Sequence, residues 1–190
     1  MKKKDKPVEP AGRSGPWPAP FAVDRARDRK VALRIEADAE TRAAVARFLG
    51  LPGVSALAAE FEIAAATRGR FEVRGVVSAR VTQTCVVSLD DFESDVEEPV
   101  EAVFAPLEEA QGGAGKGQVT VSLDADSDPP DAIVNGAIDL GALAVEFLTL
   151  ALDPYPRKPD AAFEAADDAP GDDPSPFAAL AALKKDKGGK

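Results

Sequence analysis

The longest regular pattern in the chain is RFEVRGVVSARVTQTCVV, residues 70–87, where apolar and polar positions alternate with the two-residue period of a half-buried strand. Phe71, Val73, Val77, Ala79, Val81, Gln83, Cys85 and Val87 share one side, while Arg70, Glu72, Arg74, Ser78, Arg80, Thr82 and Thr84 share the other. The preceding ALAAEFEIAAATRG reads as the partner of a long hairpin turning at Arg68–Gly69, with a bend or bulge expected at Gly75. Ser88–Asp91 makes the next turn. FESDVEEPVEAVFAP then returns with Phe92, Val96, Val100 and Phe104 on the apolar side and Glu93, Asp95, Glu97 and Glu101 outward.

Ahead of this meander the pattern predicts a short strand at 20–24 and another at 30–37, in which Val31, Leu33 and Ile35 share a face. A helix follows at 39–49: Asp38 caps it, Ala43 or Ala44, Arg47 and Phe48 follow helical spacing, and Gly50 and Pro52 end it. After Pro106 come a Gly- and Glu-rich loop, a strand VTVSL at 119–123 and an acidic loop, DADSDPPD. The last long element is a helix at 140–152, capped by Asp139 and stopped by Asp153-Pro154. Glu146 and Thr149 are its only polar positions, so nearly its whole circumference needs cover from the sheet or a partner. These elements predict an α+β fold: a twisted, largely antiparallel sheet, open or barrel-like, covered by two helices. The expected organisation is a disordered basic tail at 1–16, one domain at 17–159, and a flexible tail at 160–190 with a short helix at 176–184.

Composition narrows the chemistry. The 190 residues include no histidine, which removes the commonest general base and metal ligand, and a single cysteine, which rules out an internal disulfide or thiolate zinc cluster. The lysine-rich start continues into Pro, Gly and charge where a signal peptide needs an apolar stretch, and the 140–152 run is too short to cross a bilayer, so a cytoplasmic location is expected. Charge is uneven: residues 1–35 carry ten Lys/Arg against four Asp/Glu, whereas 87–173 carry three against 22. A surface that is acidic in its second half argues against a simple basic nucleic-acid-binding domain but leaves room for local contact through a basic face or arm.

Five features are candidate sites. Cys85 faces inward with no histidine to activate it and acids following, which should raise its thiol pKa; a buried core role fits it best. Arg70, Arg74 and Arg80 share strand parity and are the candidates for RNA contact; the alternative is cross-strand pairing, with Glu97 and Glu101 diagonal to Arg80. DPYPRKP, residues 153–159, forms a rigid exit from the helix: either Tyr155 pins the helix end to the sheet, or Tyr155 and Arg157, with Phe177 in the tail, contact a partner protein. The acidic segments lack the EF-hand pattern and QGGAGKGQ lacks the P-loop pattern, so they read as solvated surface and a flexible loop, with no metal.

Together the strings VRGVVSARVTQTCVVSLDDFE, EEPVEAVFAP, IDLGALAVEFLTLALDPYPRKP and PFAALAALK, in this order within residues 17–185, resemble the YceD-like family of large ribosomal RNA subunit accumulation proteins in its alphaproteobacterial form. The resemblance implies a non-enzymatic cytoplasmic factor in ribosome biogenesis that supports accumulation of 23S ribosomal RNA. Its implied partners are large-subunit rRNA or a pre-ribosomal particle, a basic ribosomal protein, or both, with no cofactor, membrane or small-molecule substrate. Many members carry CxxC where this chain has TQTCVVSL; here Ser88 stands at the second position, which puts a family-wide metal or redox role in doubt for this chain. An acidic adaptor that binds a basic ribosomal protein or assembly factor without touching RNA is the alternative.

Overall fold

A computed structural model describes residues 15–110 and 130–162. The alternating segments form a long antiparallel meander: β3 (Gly53–Ala65), β4 (Phe71–Thr84) and β5 (Asp91–Pro106). Arg68 and Gly69, both at positive φ, occupy the centre of the β3–β4 turn, and Arg70 N donates to Thr67 O across it. This left-handed pair matches the right-handed twist of the strands it joins. β2 (Val31–Glu36) pairs with β3, and β6 (Asp131–Ile133) lies parallel to the end of β5, giving the order β2-β3-β4-β5-β6. The sheet is open, with β2 and β6 outermost among the described residues. The architecture is α+β.

The expected bulge is displaced. β4 holds unbroken register with β5 through Gly75, and the irregularity falls on β3, between Val54 and Ala56. Gly75 answers a different constraint, because a Cβ there would lie 2.0 Å from Glu60 O and 2.9 Å from the Phe61 ring. The Glu60 carbonyl, and behind it the Phe61 ring, take the space that a side chain would need.

Helix α1 (Ala39–Leu49) joins β2 to β3. Asp38 Oδ1 accepts from Thr41 N (2.8 Å) at its start, and Gly50 (φ 67°) and Leu51 close its end with N–H bonds to Arg47 O and Ala46 O. Its inward face differs from the expected one: Val45 and Ala46 are buried and Leu49 partly so, whereas Phe48 is 65% exposed and Arg47 faces solvent. Four alanines in eleven residues hardly mark a face, and the Val45–Leu49 spacing decides it.

The short strand β1 (Pro20–Ala22) ends two residues sooner than expected, passing into a single 3-10 turn at Val23–Ala26. It pairs with β7 (Ala137–Asp139), which follows β6 through an Asn135-Gly136 turn with both residues at positive φ. After β5 a four-residue helix, α2 (Leu107–Ala110), begins the connection to β6. The expected strand at 119–123 and the short helix at 176–184 lie outside the described residues, as do most of both tails.

Helix α3 (Leu140–Ala151) is held at its N-terminus by one carboxylate: Asp139 Oδ1 accepts from Gly141 N and Ala142 N (both 3.1 Å) and from Ala19 N (3.0 Å). Leu140 N returns a bond to Ala19 O (3.0 Å). The arm carrying Trp17 and Phe21, 5% and 2% exposed, thereby crosses the start of α3 and closes the core with Leu143, Leu148, Val77 and Val100. The crossing needs glycine at 141, since a Cβ there would lie 1.9 Å from Trp17 O. Gly141→Ala should therefore lower unfolding free energy by ~1–3 kcal/mol, the usual cost of overpacking. Gly50→Ala meets open space and bears only the left-handed backbone penalty, roughly 1–2 kcal/mol. Urea denaturation of both variants checks this, and a Gly141→Ala protein as stable as wild type would contradict the crossing.

Candidate functional site

Among the described residues, helices and the N-terminal arm cover one face of the sheet, and the side chains of the other face are exposed. On that open face Arg80 meets Asp95 directly across the β4–β5 ladder, Nε–Oδ1 2.7 Å and Nη2–Oδ2 3.2 Å. Arg74 meets Glu101 in the same way (3.1 Å), with Glu72 at 3.9 Å. The cross-strand pairing expected for Arg80 is thus real but its acid is the directly opposed Asp95; Glu97, opposite Ser78, is the diagonal neighbour as expected, while Glu101 lies opposite Arg74. The fork-shaped contact raises the Arg80 pKa and holds the Asp95 carboxyl below its usual range. Across β2 and β3 the same arrangement recurs in Arg34–Glu60 (3.0 Å), and Lys30, just before β2, reaches diagonally to Glu62 (2.6 Å). All these side chains are at least half exposed, so their pairs are screened by salt and weakly stabilising.

The three arginines do not converge. Six residues of strand separate Arg74 from Arg80, roughly 20 Å at the rise of a β-strand. Arg70 precedes β4 and lines, with Arg27, Phe71, Pro106 and Ile133, a mainly apolar cleft of about 410 Å³ at the other end of the sheet.

At the far end of β4 the chain builds a tighter arrangement. Cys85 N donates to Asp90 O (2.8 Å) and Leu89 N to Cys85 O (2.9 Å), closing a turn in which Leu89 takes a positive φ. The Cys85 side chain is fully buried, as the strand parity predicts. Its acid–base character is the reverse of the expectation. Ser88, through its hydroxyl and its N–H, is the largest of several influences that bring the thiol down from its ordinary range to about 6, followed by the N–H of Lys158 and, last, that of Val87, against the opposing effect of burial. The Val87 and Ser88 nitrogens lie 3.4 Å from Sγ. Donors in contact with the sulfur outweigh carboxylates that point away into solvent. Ser88 occupies the second position of the CxxC spacing.

The segment after α3 straps this turn to the sheet. Gln83 Nε2 donates to Asp153 O (3.3 Å), Val86 N to Pro156 O (2.9 Å), and Lys158 Nζ pairs with Asp90 Oδ2 (3.5 Å). Gln83, the one buried polar side chain among the described residues, also accepts from Ser94 Oγ (3.0 Å). Tyr155 does not do the pinning: its ring is 73% exposed, and only its N–H is engaged, with Asp153 Oδ1 (2.8 Å). Arg157 is exposed beside it, and Phe177 lies outside the described residues. Val86, Leu89 and Leu150 add exposed apolar surface around the strap.

Among the described residues no three His, Cys, Asp or Glu side chains gather as metal ligands, and no helix is long and apolar enough to cross a membrane. The arrangement defines a class: an α+β protein with a charge-paired open sheet face and a strapped, thiolate-stabilising turn. Its family follows from sequence comparison. The description "Large ribosomal RNA subunit accumulation protein YceD" matches residues 73–184, more than half of the chain, and the chain belongs to that family. Comparison with curated proteins and with solved structures returned no match. The matched segment contains Arg74, Arg80, the Cys85 turn, α3 and the strap; Arg70 lies just before it.

The thiol provides a test. Folded Cys85 should lose its proton near pH 6, against ~8.5 for an unfolded cysteine. Between those values the unfolded chain binds more protons, so stability should rise with pH, and the gain should be lost as pH falls through the folded value. Thiolate ultraviolet absorbance gives the midpoint directly, and Cys85→Ala should flatten the rise in urea-derived stability. A midpoint at or above ~8.5 would contradict the donor arrangement.

Proposed function

We propose that this protein is a non-enzymatic, cytoplasmic factor of ribosome biogenesis that supports the accumulation of 23S ribosomal RNA. The observation that carries the reading is the family match, which takes in the meander from β4 onward, the Cys85 turn and the helix with its strap. In this reading Arg70, Arg74 and Arg80, with the lysine-rich ends of the chain, contact large-subunit rRNA or a pre-ribosomal particle, and Tyr155, Arg157 and Phe177 contact protein.

A second reading shares the same role but routes it through protein. Here the molecule is an acidic adaptor for a basic ribosomal protein or assembly factor. The engagement of Arg74 with Glu101 and of Arg80 with Asp95 favours it, because a guanidinium already forked onto a carboxylate must give up that contact to take a phosphate. The remaining acids of β5 outnumber these arginines and set the sign of the field on that side.

Depletion of the protein should lower the ratio of large- to small-subunit rRNA, and the wild-type chain should restore it. A folded Arg70→Glu, Arg74→Glu, Arg80→Glu variant that fails to restore it assigns the role to the arginine row, whereas full restoration assigns it to the acidic side. An unchanged ratio on depletion would overturn both readings.

A further inference from the structure

The β4–β5 ladder leaves one edge of β5 open. β6 takes the other side of β5 only at Phe104–Pro106, so residues 91–103 have a strand partner on one side alone among the described residues. Which backbone groups face that open edge follows from two observations. Cys85 N donates to Asp90 O, and the register continues from that pair without a break, so Phe92, Ser94, Val96, Glu98 and Val100 turn their backbone groups toward β4. The intervening Asp91, Glu93, Asp95 and Glu97 turn theirs outward. Pro99 falls in the outward set, where its missing N–H costs the ladder nothing.

Each of the four outward positions before Pro99 therefore offers an N–H and a C=O and also carries an exposed carboxylate on the open face. Two of these carboxylates are committed within the sheet, Asp95 to Arg80 and Asp91 to the Thr84 hydroxyl (2.7 Å). Glu93 and Glu97 make no ion pair with any described residue. The other side of the same edge presents Phe92 and Val96, both partly buried. Charge and proline guard such an edge against its own kind, since two copies of β5 would set like charges opposite each other. The same row admits a strand of opposite sign.

From this geometry we infer that residues 91–97 of β5 receive an extended segment of a basic protein by strand addition, with Lys or Arg at alternate positions facing Glu93 and Glu97 and apolar residues between them facing Phe92 and Val96. Pro99 ends the available ladder and limits the added strand to about seven residues, by the one-for-one pairing of strands. The inference rests on the adaptor reading above and gives its partner a sequence pattern.

The test uses the full chain with the peptide Lys-Val-Lys-Val-Lys-Val-Lys and a counterpart of equal charge whose lysine backbone nitrogens are methylated. Strand addition predicts that the first peptide slows amide exchange at Glu93, Asp95 and Glu97 and the second does not. Glu93→Lys with Glu97→Lys should weaken the first peptide's binding by more than about tenfold. Equal binding of both peptides with no change in exchange overturns strand addition and leaves the adaptor reading standing. If neither peptide binds at low salt, both fall. Amides at Glu93–Glu97 that already exchange slowly in the free chain would mean that the chain covers this edge itself, which also overturns the inference.

Discussion

One register fixes most of what this molecule presents to its surroundings: the unbroken antiparallel pairing of β4 with β5, from Phe71 opposite Phe104 to Thr84 opposite Asp91. Because side chains alternate faces, that register sends Val73, Val77, Val81 and Val100 into the core and Arg74, Arg80, Asp95 and Glu101 onto the open face. It also decides that Arg80 meets Asp95 rather than Glu97, and that the backbone groups beside the acids look outward. A slip by one residue would bury the charges and expose the valines, so the hydrophobic core and the charged surface are specified together.

The two ends of α3 tie this sheet to the rest of the chain. At the N-terminus Asp139 serves three N–H groups, one of them from an arm that is distant in sequence, and Gly141 leaves room for that arm to pass. At the C-terminus the strap binds through backbone carbonyls of Asp153 and Pro156 and the Lys158 ammonium. The strap and the turn it covers supply the N–H and hydroxyl groups around Cys85, so fold and thiol chemistry are coupled at this point. The exposed Tyr155 ring is left free of any structural duty in this arrangement.

Much of this was legible in the residue pattern, because strands with one wet face announce their parity. The alternation from Phe71 to Phe104 located the strands, the buried cysteine and both charge rows, and Asp38, Gly50 and Asp139 marked helix ends through local hydrogen bonding. The phase of α1 was not legible, since its alanines fit either face and only packing on β3 chooses Val45. Gly75 carried a bulge signal, yet its meaning lay across the ladder in the close approach of the Glu60 carbonyl and the Phe61 ring. The lowered thiol pKa could not be read from neighbouring acids, because the deciding donors, the Ser88 hydroxyl first and then the N–H groups of Ser88 and Lys158, reach the sulfur only through the fold of the turn and of a strap about seventy residues away. The Asn135-Gly136 turn was the one strong local hairpin signal that the hydrophobic pattern alone passes over.

On the adaptor proposal, the charged open sheet, with Arg74 and Arg80 already paired, meets a basic protein in the course of large-subunit assembly, whereas on the RNA proposal the same arginines turn to rRNA. Purification of the tagged full chain from cells, before and after ribonuclease treatment and across a salt gradient, tests the adaptor proposal most directly. The account predicts a basic partner that survives ribonuclease and is released as salt rises. Loss of every partner on ribonuclease treatment would contradict it and return the open face to RNA.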